Sequence, residues 1–369
     1  MTQKLVKIQI TQVFESDTIK KNIANLVKNL YTKEKLTEEI NQVRKQIGHE
    51  ELEIHIEDIY YNEKENELWI ITQDRPDKSA IIGKGGWVVG KLREKLKINS
   101  IHVESYGDYL TKEYKLKLSK KTLDEFNSDL TGIQNLKKIL SSKLENIYSF
   151  DYNSYFESNV FKESEKTEAV VALSGGVDSS FSLILAKYLG FNPTAVTIDP
   201  GTIILPNQYK RNIKKLTDQL NAGHEYIKAD YSEIIRESLN GRFHPCGRCS
   251  KHTEELINQY AINNNIPIVI FGDMLSTGTQ CITPQEKGLY RLNLPASLAV
   301  GKQENKSLTQ QFDLQSFSGF GCPLLYEVHR KYPYLKKYSI QRILRETRSS
   351  ALEVGEALDL IWSFYNTKD

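Results

Sequence analysis

Four cysteines in 369 residues are too few for a disulfide scaffold. No stretch approaches the roughly 18 to 20 consecutive apolar residues that a membrane helix needs. No tandem repeat, low-complexity tract or long Pro/Gly/Ser linker interrupts the chain, which excludes a solenoid and loosely tethered domains. Nor is one sign of charge in excess: 49 Lys and Arg against 47 Asp and Glu leave a net +2. That balance identifies no nucleic-acid partner by itself, although balanced totals can hide a local basic face. The opening MTQKLVKIQITQVFESD alternates apolar and polar residues and holds neither an apolar signal core nor a small-residue cleavage site. It reads as a strand, and the expected compartment is the cytoplasm. What is present, 39% hydrophobic and 26% charged residues with a mean hydropathy of -0.47, describes a soluble chain able to bury real cores. Its length is roughly two to three times that of an ordinary domain, so more than one is expected.

The run from about Thr18 to Gln46 carries apolar residues at helical spacing, and Glu51–Tyr61 and Glu67–Gln73 read as paired strands. Then comes KSAIIGKGGWVVGKLREKLKINSIHV, from Lys78 to Val103: a helix end, a tight turn at Gly83-Lys84-Gly85-Gly86, a second amphipathic helix and a strand. A G-x-x-G turn between helices leaves the backbone open to a phosphodiester, with helix-end N–H groups and lysines supplying attraction. Lys78, Lys84, Lys91, Arg93, Lys95 and Lys97 stand around it against one acid, Glu94. The segment resembles a KH domain, whose GXXG loop clamps a single-stranded nucleic acid; the resemblance implies RNA contacts at Gly83, Lys84, Gly85, Gly86 and Lys91. Leu110–Lys121 reads as a further strand and Leu123–Phe150 as a connecting helix.

Ala169–Leu173 is a short apolar strand that runs straight into Ser174-Gly175-Gly176-Val177-Asp178-Ser179-Ser180 and then a helix. Strand, glycine turn and helix N-terminus in sequence make a phosphate site. The string is neither Walker A nor a dinucleotide G-x-G-x-x-G. It resembles the PP-loop of the N-type ATP pyrophosphatase superfamily, which adenylates a substrate oxygen and releases pyrophosphate. That resemblance implies ATP as cosubstrate with Mg²⁺, loop contacts from Ser174, Gly175, Gly176, Ser179 and Ser180, and a metal-bridged role for Asp178. It also implies adenine near Val196–Asp199, with Ile198 and Asp199 facing it, and Gly272 and Asp273 at the edge of the site; the second acid that many relatives carry after Asp273 is missing. Strands at Thr194–Ile198, Glu225–Ile227 and Pro267–Phe271, with helices at about Asn207–Leu220 and 250–264, predict a doubly wound α/β parallel sheet.

Cys246 and Cys249 form a C-x-x-C expected just before the helix that leads to Pro267–Phe271, and Cys322 follows in SGFGCP. This layout resembles the sulfur-transferring branch of the PP-loop superfamily, the TtcA and TtuA type tRNA thiolation enzymes. The resemblance covers about half of the chain and implies a [4Fe-4S] cluster held by Cys246, Cys249 and Cys322, with Cys281 matching no ligand position. From the residues alone, a structural zinc using His252, a clusterless persulfide route and inert thiols stay open. The terminal zinc motifs of TtuA-type relatives are absent, and the KH-like module stands where enzymes acting at the 4-position of uridine carry a THUMP domain.

Near the C-terminus two helices are expected between Tyr332 and Tyr365, with Arg342, Arg345 and Arg348 recurring on one face, read as a solvated surface or a second RNA contact. The expected organisation is an RNA-binding α+β domain at 1–122 with its KH-like core at about 50–122, a helical connector at 123–165, a PP-loop domain at 166–330 and C-terminal helices at 331–369. The expected activity is ATP-dependent thiolation of a base in tRNA or another structured RNA, with an unidentified sulfur donor and no membrane. The alternatives are an adenylating enzyme with a nitrogen nucleophile and an ATP-responsive RNA-binding protein without turnover. A homodimer is left open.

Overall fold

The computed structural model describes residues 31–63, 66–126, 129–147, 150–161, 167–315 and 320–365. The strand expected at 1–15 and the start of the helix expected from Thr18 lie outside them. The chain divides into two compact units, Met1–Thr111 and Lys112–Asp369. Among the described residues no helix is long and apolar enough to cross a membrane.

The first unit runs α1 (Lys33–Gln46), β1 (Ile56–Asn62), β2 (Glu67–Thr72), α2 (Arg75–Ile82), α3 (Trp87–Leu96) and β3 (Ser100–Ser105). β2 is central, antiparallel to β1 and parallel to β3. Leu36, Ile40 and Val43 of α1 meet Leu68, Ile70, Ile81, Val88 and Leu92 in one apolar core, the i, i+4, i+7 stripe of an amphipathic helix laid on a sheet face. The turn between α2 and α3 is where glycine is required. Gly83, Gly85 and Gly86 all have positive φ, and a Cβ at Gly83 would lie 2.2 Å from a methyl of Val88.

α4 (Tyr106–Glu125) begins in the first unit and continues into the second. The strand expected at Leu110–Lys121 is therefore a helix. The KLKLS alternation mimics a strand, yet Leu116, Ser119 and Leu123 are the buried residues, a helical stripe. Lys117–Glu113, Lys120–Asp124 and Lys121–Glu125 pairs at i, i+4 support the same winding.

The second unit continues with α5 (Thr131–Glu145), α6 (Tyr152–Ser158), β4 (Glu168–Ala172), α7 (Val177–Tyr188), β5 (Asn192–Asp199), α8 (Asn207–Leu220), β6 (Gly223–Lys228), α9 (Ser232–Leu239), α10 (Pro245–Asn263) and β7 (Ile268–Phe271). It ends with β8 (Ile282–Pro284), β9 (Tyr290–Asn293), α11 (Leu294–Ser297), α12 (Lys302–Gln310), α13 (Pro323–Lys331), α14 (Lys336–Arg348) and α15 (Val354–Ser363). The sheet order is β6-β5-β4-β7-β9-β8, parallel except for β8 against β9. Val170 and Ala172 pack with Ile257 and Ala261 of α10, so the alternate residues Ala169 and Val171 face the opposite side of the sheet. This is the doubly wound α/β arrangement. β4 is followed outward by β5 and β6 on one side and by β7 on the other, so the strand order reverses between β4 and β7, where such sheets open a ligand crevice.

Candidate active site

The crevice at that reversal is a cleft of about 860 Å³. β4 ends at its floor, and the turn Ser174–Gly176 leads into α7. Gly175 has φ +76, and a Cβ there would meet the Tyr209 carbonyl oxygen at 2.7 Å, so the turn admits no side chain. The Ser179 hydroxyl donates to the Gly176 carbonyl at 3.0 Å, accepts from the Ser174 N–H at 3.2 Å and lies 3.0 Å from the Ser174 hydroxyl. The loop is thus tied to the first turn of α7, and the N–H groups at the start of that helix stand at the positive end of its dipole. Gly272, after β7, lets the chain come close: a Cβ would lie 2.9 Å from the Asp178 carbonyl carbon.

Ser174, Gly176, Asp178, Ser179, Ile198, Gly272 and Asp273 line the cleft. Gly175, Ser180 and Asp199 do not. Ser180 is buried, and Asp199 turns to Lys210 at 2.6 Å and to the Gly201 N–H at 3.1 Å. Asp273 folds onto its own turn, accepting from the Leu275 N–H at 2.8 Å and the Ser276 hydroxyl at 2.7 Å.

Asp178 meets residues that sequence reading missed. Lys302 Nζ donates to Asp178 Oδ2 at 2.5 Å and Asn305 Nδ2 to Oδ1 at 2.9 Å. Both come from α12, whose start is fixed by Glu304: its carboxylate accepts the Gly301 N–H at 2.7 Å, the Lys143 ammonium at 2.5 Å and the Lys112 ammonium at 3.2 Å. Lys143 is fully buried. Burial alone would raise the Glu304 pKa, but Lys112 and Lys143 outweigh it and hold it down at about 2; burial pulls Lys143 down to about 8 against the attraction of Glu304. The Gly301-Lys-x-Glu304 spacing of a helix start was the one sequence signal for this element.

The opposite wall holds Cys246, Cys249 and Cys322, all lining the same cleft and all half-buried. Cys246 and Cys249 lie inside the first turns of α10 rather than before it, because Pro245 at the first helical position starts the helix early. Burial pushes the Cys246 thiol up to about 11, with Cys322 adding to the rise and Arg342 opposing it. Cys249 is pushed up to about 12 by burial and by the charges of Cys246 and Cys322, and burial raises Cys322 as well. Left to themselves these are neutral thiols at pH 7. A partner that takes thiolates must displace their protons. Among the described residues no group of three or more His, Cys, Asp and Glu side chains is placed to hold a metal ion. His252, a candidate zinc ligand, packs on Tyr231 and faces Glu255 at 3.7 Å instead of lining the cleft. Cys281 is buried elsewhere, its Sγ 3.9 Å from the Ser119 carbonyl. Arg342 and Arg345 of α14 complete the rim.

In the first unit, Lys84 and Trp87 are exposed at the Gly83–Gly86 turn, Trp87 at 64%. Lys91 pairs with Glu94 at 2.7 Å, Lys78 with Glu104 at 3.1 Å and Lys95 with Glu39, so half of the lysine and arginine ring expected around the turn is already neutralised.

Over 266 residues, 72% of this chain and 97% of the relative, the sequence is 32% identical to an uncharacterised protein of Methanocaldococcus jannaschii. The chain belongs to that protein's family. A shorter likeness, 36% over 73 residues, links 20% of the chain to 31% of a 7-cyano-7-deazaguanine synthase of Methanococcus maripaludis. No family model matches the sequence. Among solved structures, a U34-tRNA thiolase from Methanococcus maripaludis with its [4Fe-4S] cluster covers 69% of this chain and 78% of its own at 14% identity and a TM-score of 0.35. At that score the likeness assigns neither reaction nor substrate.

Proposed function

We propose that the protein is a PP-loop-type adenylating enzyme that thiolates a base of tRNA or another structured RNA. One observation carries this reading: the three thiols open into the same cleft as the phosphate loop, so an activated atom held over Ser174–Ser179 faces sulfur chemistry directly. A base carbonyl oxygen is a poor leaving group. Its attack on the α-phosphorus of ATP forms an adenylate and expels pyrophosphate, and sulfur at the sulfide level then adds to the carbon and expels AMP.

The loop N–H groups are placed to hold the departing pyrophosphate, the Ser174 and Ser179 hydroxyls keep the turn in shape, and Lys302 balances the growing charge. Asp178 would hold Mg²⁺ by exchanging its present partners Lys302 and Asn305. A [4Fe-4S] cluster, held by Cys246, Cys249 and Cys322, would supply an open iron site for the sulfur being delivered. The exposed Gly83–Gly86 turn, set between two helices in a β-β-α-α-β unit, supports a KH-like RNA contact at Gly83, Lys84, Gly85, Gly86 and Lys91. A second reading keeps the adenylation and has a nitrogen nucleophile displace AMP, which would not need the three thiols.

The test is pyrophosphate release from ATP by anaerobically prepared protein with bulk tRNA, supplied with either sulfide or ammonium. Release coupled one-to-one to a thionucleoside supports thiolation. Turnover with ammonium and none with sulfide moves the assignment to the second reading, and no RNA-dependent release with either removes both.

A further inference from the structure

The helix α14 has a composition that its packing does not need. Over 336–348 it carries five Lys and Arg and one acid, Glu346. That acid is buried on the inner stripe with Ser339 and Ile343. The outward stripe is Tyr338, Arg342 and Arg345, at i, i+4 and i+7, spanning about 10 Å of helix axis. Tyr338 is 44% exposed with the Lys337 ammonium 5.1 Å from its ring centre. Arg342 and Arg345 are exposed and line the cleft. Arg345 has no ion-pair partner among the described residues. Arg342 has a long 3.4 Å contact to Glu346 and lies 5.8 Å from the Phe320 ring centre, and its charge reaches Cys246. A cationic stripe with an exposed aromatic ring at one end thus borders the cleft, and among the described residues its Arg345 charge is not neutralised by an ion pair.

We infer that this face of α14 is the track along which an RNA strand enters the cleft, its phosphates on Arg342 and Arg345 and a base stacked on Tyr338. The charge is complementary to a phosphodiester backbone. Tyr338 separates RNA from an acidic polypeptide, because each base offers a flat π-face for stacking and a carboxylate side chain does not. The inference rests on the RNA-modifying reading above and adds where the substrate lies relative to the sulfur wall. A strand on this stripe runs beside the cysteine wall, because Tyr338 packs on His244, two residues before Cys246, and the Arg342 charge reaches Cys246.

The experiment is fluorescence anisotropy of end-labelled unfractionated tRNA with the full chain, at several salt concentrations and with polyglutamate as competitor. Arg342→Gln/Arg345→Gln should reduce the slope of log K against log salt by about 1.5 to 2, the loss of two phosphate contacts. Arg345→Gln alone, which touches no ion pair, should reduce it by about half as much and guards against an effect of disturbing Glu346. Tyr338→Leu should weaken binding about tenfold with the slope unchanged. Wild-type binding with unaltered slopes and affinities in all three folded variants would overturn this inference while leaving the RNA reading intact. Equal binding of polyglutamate and tRNA would assign the face to acidic polypeptides and overturn it too. No tRNA binding by the wild-type chain would bring down the RNA-modifying reading itself.

Discussion

The two walls of the cleft are built on opposite principles. On the phosphate side every charged group already has a partner: Asp178 takes Lys302 and Asn305, and Glu304 takes Lys112, Lys143 and the start of α12. On the cysteine side three thiols line the same cleft, each pushed toward its neutral form by burial, with Arg342 and a backbone hydrogen bond working the other way on Cys246. The first wall is finished before a ligand arrives. The second presents three thiols that burial keeps neutral. In the function proposed above, such a site separates tasks: a rigid electrostatic cradle for a departing anion, and a set of thiols that handles sulfur.

The largest effects should come from breaking this contrast. Lys302→Met removes the cation on Asp178, and RNA-dependent pyrophosphate release should fall by about 100- to 1,000-fold, the usual scale for one preorganised electrostatic group; stopped-time assays of pyrophosphate measure it. An unchanged rate would mean that the Asp178–Lys302 pair is structural only.

Glu304→Gln tests whether the cradle is held from behind. It leaves the buried Lys143 charge without its carboxylate, a change that costs about 3 to 5 kcal/mol and lowers Tm by about 10 °C. Lys143→Met in the same background should restore much of the loss, since it removes the orphaned charge. Differential scanning calorimetry reads both, and a lone Glu304→Gln protein as stable as the wild type would remove Glu304 from its positioning role.

The smallest effect is a pH dependence. His329 is buried against His244 and Phe364, and burial first, then the charges of His244 and Lys336, lowers its pKa to about 4. The folded state then binds fewer protons than the unfolded state between about pH 4 and 6.5. Stability from this group is full above the ordinary histidine value and is lost as pH falls through that window, by at most about 1.4 kcal/mol per pH unit. His329→Phe should flatten urea-midpoint profiles there; an identical profile would place the acid sensitivity elsewhere.

What could be read from the sequence was local. The strand, SGGVDSS and helix are contiguous, and apolar period, glycine turn and helix onset agree, so the phosphate loop needs no tertiary knowledge. The Gly83–Gly86 turn is legible for the same reason, and the structure adds that Gly83 is forced by Val88. Lys302 and Asn305 were not legible. They reach Asp178 from more than a hundred residues away, on a short helix with an ordinary polar sequence. Lys112 and Lys143 were hidden by being lysines, which sequence reading assigns to solvent. The α4 helix was misread because alternating lysine and leucine satisfy period two and a helical stripe at once, and only burial of Leu116, Ser119 and Leu123 separates them. Arg342 and Arg345 were visible as a basic face, but nothing in the chain announces that it borders a cleft.

The most direct measurement of the central claim is mass spectrometry of total tRNA nucleosides from cells lacking this gene, complemented with wild-type or Cys322→Ser protein. Loss of one thionucleoside, restored by the wild type and not by Cys322→Ser, is the expected result, with the purified Cys322→Ser protein still gaining thermal stability from ATP because its phosphate wall is intact. A thionucleoside profile identical in all strains would contradict the account and leave the three thiols without the sulfur-transfer role given to them here.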